Sequence, residues 1–261
     1  MQTPSNPYEN PGVPPGGGPP FGAPGMASPA PRGPIISFDT ITEAWTLLKP
    51  NIGVWIGAVL VYAVISGVFS GLQNVLTPKD VNGVPQIGPI YLLISLVSFV
   101  VGQFFIGGFY RMGLNNVRTG RADLGQLFSA TDVLLPLIGS ALLSGIAIVI
   151  GFLFCLLPGM LLAALLLFMT PLIVDKRMGV FESMSTSFNT LKPQMWMALI
   201  YAIVIGLLAY SGLIACLVGV LVTAPLALLA ICLTYRDFFD GNAQPAVMPM
   251  RPIAPIADPR A

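Results

Sequence analysis

An all-α, six-span helical membrane bundle is the fold class that this 261-residue chain predicts, and three observations carry the prediction. The chain is 55% hydrophobic and only 9% charged, with a mean hydropathy of +0.82; soluble domains carry roughly 25% charged residues. The charges stay out of the long apolar runs, as lipid requires, because a central Lys, Arg or Asp there costs about 2.5–3.5 kcal/mol. Finally, one small unit recurs: an amphipathic segment followed by two apolar spans. Phe38, Ile41, Trp45, Leu48, Lys49 and Pro50 match Phe181, Met184, Phe188, Leu191, Lys192 and Pro193 one for one.

Residues 1–34 are Pro, Gly, Ser and Asn with almost no charge, a composition that cannot bury enough surface to offset chain entropy. A disordered tail of polyproline-II character is expected there, with no basic start and apolar stretch of a secretory signal. Residues 35–240 form the membrane domain, and 241–261 a second loose tail rich in Pro and Ala. The first span runs from about Ile52 to Val75 and the second from about Ile90 to Tyr110. The apolar blocks Val133–Val174 and Met195–Tyr235 each hold two helices, at about 1.5 Å rise per residue and about twenty residues per crossing. Their turns are expected near Pro158-Gly159 and Val218-Gly219. Gly145, Gly151, Cys155 and Leu156 match Gly206, Gly212, Cys216 and Leu217 at a constant offset, which extends the duplication to three units. The middle unit's amphipathic piece, around Leu124, Leu127 and Phe128, is the least regular.

The amphipathic segments place apolar residues at helical spacing and end at Pro50 and Pro193, which are expected to break the helix and turn the chain into the bilayer. Basic residues set the orientation. Arg32, Lys49, Arg111, Arg118, Arg121, Lys176, Arg177, Lys192, Arg236, Arg251 and Arg260 all fall on one side of six spans, and only Lys79 on the other. Both termini are therefore expected in the cytoplasm of a multi-pass plasma-membrane protein.

Composition also excludes functions. The chain has no histidine, which removes the commonest general acid–base, the His metal ligand and every His-dependent triad. Cys155, Cys216 and Cys232 lie in apolar surroundings without a Cys-x-x-Cys spacing and read as structural thiols, so neither a metal nor a cofactor is expected. A net charge of +1 offers no field for nucleic acid. Asp123 and Asp175 are the interfacial acids, and neither has a catalytic partner in the sequence, so no enzyme is expected.

Several polar signals remain. Arg111, Arg118 and Arg121 are candidates for contact with anionic lipid headgroups, beside their ordinary topological role. Gln103, with Ser66 and Ser70, is the candidate lining of a polar cavity; a single interhelical hydrogen bond is the plainer use. Gly53-x-x-x-Gly57, Gly67-x-x-x-Gly71 and Ser140-x-x-x-Ser144 have close-packing spacing and are expected to pack within the monomer. Pro11 and Pro14, like Pro31 and Pro34, have a spacing that proline-reading modules recognise, so the tail is the expected contact for a protein partner.

Gly108-Phe109-Tyr110-Arg111 with Arg118 and Gly120, then Asp175 with Gly179-Val180-Phe181-Glu182 and Ser187, then Thr223-Ala224-Pro225 leading to Tyr235-Arg236, form a set of short motifs over residues 37–240. In these the chain resembles uncharacterised bacterial polytopic membrane proteins, including the membrane domain attached to some glycerophosphodiester phosphodiesterases. The resemblance implies an architecture and a bacterial plasma-membrane setting; the hydrolase's histidines and acidic metal ligands have no counterpart here. The functional expectation is a non-enzymatic membrane protein, an accessory or scaffold subunit with tails for partner contact, set among membrane lipids. The alternative is a small transporter or lipid-handling protein, which a polar cavity near Gln103, Ser66 and Ser70 would favour over a dry centre.

Overall fold

The computed structural model of the protein describes residues 34–79, 86–214 and 219–240. The two predicted tails, Pro34 apart, lie outside these residues, as do Cys216 and Leu217. The described chain is helical, with no strand element. In order come α1 (Asp39–Leu76), α2 (Pro89–Thr119), two 3-10 turns (Leu124–Phe128 and Ala130–Val133), α3 (Leu134–Phe154), α4 (Leu156–Leu165) and α5 (Met169–Lys176). Then follow α6 (Val180–Leu191), a 3-10 turn (Lys192–Gln194), α7 (Met195–Ile214) and α8 (Val220–Phe239). Among the described residues, six stretches are long and apolar enough to cross a membrane: α1, α2, the chain through α3, α4 with α5, α6 with α7, and α8.

Local chemistry explains the ends. Pro89 opens α2 where its missing N–H costs nothing, and Gly120 closes it at φ 74°, its N–H bonding the Asn116 carbonyl. Asp123 caps the next 3-10 turn by accepting from the Gly125 N–H at 2.9 Å. That turn buries Leu127 completely, and its carbonyl lies where a Cβ on Gly108 would sit. The irregular middle segment is thus a pair of 3-10 turns wedged against two glycines of α2, since Gly107 would meet Leu137 and Ala130.

The repeat holds at the level of contacts. Lys49 lies over the Trp45 ring and Lys192 over the Phe188 ring, at 5.4 and 5.9 Å, the same i, i+4 pair in both copies. Leu48 and Leu191 are both buried. Gly151 sits against Gly159 at the α3–α4 turn, and Gly212 against Gly219 and Val220 at the α7–α8 turn, so each glycine lets its hairpin close.

Three expectations need correction. Pro50 does not break the chain: α1 runs through it as one 38-residue helix. Asn51 Nδ2 donates to the Leu47 carbonyl at 3.2 Å, supporting a carbonyl in the turn that the proline ring disturbs. Pro193, by contrast, sits in a 3-10 turn that does separate α6 from α7. The third-to-fourth turn falls at Cys155, whose backbone is extended, and Pro158-Gly159 lie in the first turn of α4, where proline is tolerated. Gly53, Gly67 and Gly71 face open space, and Gly57 only just meets Leu124; the glycines that pack closely within the monomer include Gly107, Gly108 and Gly113 of α2, Gly139 of α3 and those of the two hairpin tips.

The core gathers around α8, which packs on α1, α7 and α2. Leu229, Ala230, Cys232, Leu233 and Tyr235 of α8 are fully buried with Trp55 and Leu48 of α1, Met112 of α2 and Tyr201 of α7. Large apolar side chains such as Val64, Val68, Leu135, Ile146 and Leu153 point outward, the pattern expected where lipid is the solvent.

Candidate functional site

One end of the bundle is a lattice of polar and ionic contacts. Arg118 of α2 forks onto Asp175 of α5, at 2.6 and 2.9 Å, and also holds Asp240 after α8, with Nε to Oδ2 at 3.0 Å. Tyr235 of α8 donates to the same Asp175 at 2.9 Å. Arg111 forks onto Asp132, at 2.6 and 2.8 Å, and donates to the Ser129 carbonyl; Arg177, at φ 53° after α5, joins Asp132 at 3.0 Å. Deeper in, Arg236 lies between Glu43 of α1 at 3.1 Å and Asp237 at 2.9 Å, all three buried. Bidentate guanidinium–carboxylate geometry of this kind is the strong form of ion pair.

Neutral groups continue the lattice. The Tyr201 hydroxyl donates to the Ala230 carbonyl at 2.9 Å and meets Thr234 and Thr40 at 2.7 and 3.2 Å, joining α7, α8 and α1. Asn51 bridges α1 to the end of α2 through Asn116 and the Gly120 carbonyl, and accepts from the Ala122 N–H. Ser187 of α6 donates to the Leu165 carbonyl and accepts from the Phe168 N–H, closing the break between α4 and α5. Every helix from α1 to α8 except α3 is thereby tied by a side-chain hydrogen bond to another segment.

Of the three arginines proposed for anionic lipid, Arg111 and Arg118 therefore already hold carboxylates. Arg121 sits exposed just past the Gly120 cap. Asp123 is a turn cap and Asp175 an arginine partner, which accounts for both interfacial acids structurally.

A second region lies in the membrane-spanning part of α1 and α2. Ser66 and Ser70 line a cavity of about 190 Å³ with Tyr62, Gln73, Ser98 and Gly102. Gln73 Nε2 donates to Ser95 across the two helices at 2.7 Å. Among the described residues the hydroxyls of Tyr62, Ser66, Ser70 and Ser98 make no hydrogen bond. Gln103 does not join this lining, because one residue past Gly102 turns its side chain about 100° around the helix. Tyr62 also borders an apolar cavity of about 180 Å³, walled by Trp55, Val59, Phe109, Ala224, Pro225 and Leu228. The Trp55 indole is fully buried, stacked on Phe109, and its N–H has no partner. Ser98 and Trp55 escaped the sequence reading; the four-residue spacing of Ser66 with Ser70 and of Ser98 with Gly102 was the signal available.

With six membrane-length helical stretches among the described residues, the chain is a multi-pass integral membrane protein. It is similar to an uncharacterized protein of Mycobacterium bovis, 26% identical over 248 residues that span 82% of this chain and 72% of the relative. Uncharacterized proteins of two Mycobacterium tuberculosis strains align over the same shares, at 26% and 25% identity. No family model matches the chain, and no solved structure matches it. None of these relatives bears a name that links it to the glycerophosphodiester phosphodiesterases.

Proposed function

We propose that this protein is a non-enzymatic accessory or scaffold subunit of the bacterial plasma membrane, with its basic end and both tails in the cytoplasm. One observation carries the reading: the ionic and polar lattice joins α1, α2, α5, α7 and α8 at a single end. A transporter that alternates between two openings there would have to break bidentate pairs and a buried Arg236 triad in each cycle. A pinned end suits a fixed platform for a partner, and the proline-rich segment 1–34 is the partner contact. The test is mass spectrometry of what co-purifies with the full-length chain from its native membrane, beside a chain lacking residues 1–34. A near-stoichiometric protein that disappears with the tail supports the scaffold; a protein-free preparation carrying a defined lipid or solute rejects it.

A second reading, lipid handling, has its own support in the paired cavities of α1, α2 and α8. Arg121 belongs to it as a contact for anionic headgroups.

A further inference from the structure

We propose that the groove along α1, α2 and α8 binds one neutral amphiphile of the bilayer, a lipid whose polar part carries hydroxyls or esters and no charge. The polar part lies against Ser66, Ser70, Gln73 and Ser98, and a stretch of its chain against Trp55 and Leu228. This deepens the lipid-handling reading and is independent of the scaffold.

Four features converge. The hydroxyls of Tyr62, Ser66, Ser70 and Ser98 make no hydrogen bond among the described residues although they lie on membrane-length helices, where an unbonded hydroxyl is costly unless a lipid or other group bonds it. No charged side chain lines either cavity, which selects hydroxyl, ester or sugar oxygens over a phosphate. Tyr62 borders both cavities, so a polar and an apolar compartment meet at one side chain. The apolar compartment, at about 180 Å³, exceeds the about 150 Å³ of a dry engineered cavity that takes up benzene, and so has room for a short length of chain.

Direction follows from the order of residues along α1. Trp55 and Val59 come before Tyr62, and Ser66, Ser70 and Gln73 after it, toward the end of the helix at Leu76. The polar compartment therefore lies nearer the membrane face away from the ionic lattice, with the apolar one deeper. That is how a lipid of the far leaflet is laid out, head outward and chain inward.

The experiment uses the full-length chain with Trp45→Phe and Trp196→Phe, leaving Trp55 as the fluorophore, in nanodiscs of phosphatidylcholine. Diacylglycerol brominated in its chain is titrated in, and brominated phosphatidylcholine serves as the comparison. The expected result is saturable quenching by the diacylglycerol at low mole fraction, and quenching by phosphatidylcholine that only tracks its mole fraction. Ser66→Val with Ser70→Val raises the half-saturation about tenfold while leaving the phosphatidylcholine quenching, a check on folding, unchanged. Identical non-saturating curves for the two lipids, or a serine variant that shifts nothing, would overturn the site. Movement of lipid between leaflets is read separately: saturable quenching without movement keeps the site and removes transport.

Discussion

Gly108 has no space for a side chain, because the Leu127 backbone occupies it, whereas Gly67 faces open space on α1. Gly108→Ala is expected to lower stability by about 1–3 kcal/mol, and Gly67→Ala to stay within about 0.5 kcal/mol, in melting of the detergent-solubilised protein. The two glycines look alike in the chain, since each stands in an apolar run. Only the partner surface separates them, and that surface is supplied by residues distant in sequence or by nothing. Arg236 is the ionic counterpart. Arg236→Met leaves Glu43 and Asp237 buried together without their cation, and a loss of about 3–5 kcal/mol is expected in the same assay. The arginines were legible as charges near a membrane face, but their carboxylate partners were not. Asp132, Asp175 and Asp240 lie 21, 57 and 122 residues from the arginines they hold.

Pro50 and Pro193 show the same limit at the level of elements. They occupy matching positions in two copies of one motif, yet one lies within a continuous helix and the other in a 3-10 turn. Proline removes one hydrogen bond and crowds one turn; whether the helix stops depends on what holds the two halves in line. For α1 that hold comes from Asn51, reaching Asn116 and Gly120, and from Thr40 and Glu43 docked on α7 and α8. Pro50→Ala should thus raise the stability of α1, by about 1–3 kcal/mol, while Pro193→Ala should change little because its residue lies in a first turn. Comparing the two melting curves checks both. The six crossings themselves were readable, because in lipid a crossing is declared by length and apolarity, although α1 begins 13 residues before the expected first span and α2 ends 9 residues after the expected second. Their pairing was not readable, since lipid-facing and core-facing positions are both apolar.

At the scale of the molecule, Cys155 and Cys232 offer a measure of packing and orientation together. Cys155 is exposed at the α3–α4 turn, and Cys232 is fully buried in α8. In a Cys216→Ala variant, a membrane-impermeant maleimide applied to intact cells should label one thiol, at Cys155. Labelling only after lysis would reverse the orientation argued from the eleven basic residues on one side, and labelling of both would deny the buried place of α8. The most extensive contact among the described residues is between α1 and α8, helices that begin 181 residues apart in the chain, at Asp39 and Val220. Glu43 meets Arg236 across 193 residues, and Thr40 meets Tyr201 across 161. The consequence falls on biosynthesis. Helix α1 leaves the ribosome well before α8 and must wait in the bilayer until α8 covers Glu43 and Trp55, so a chain released before α8 exposes a helix face that a quality-control protease can find.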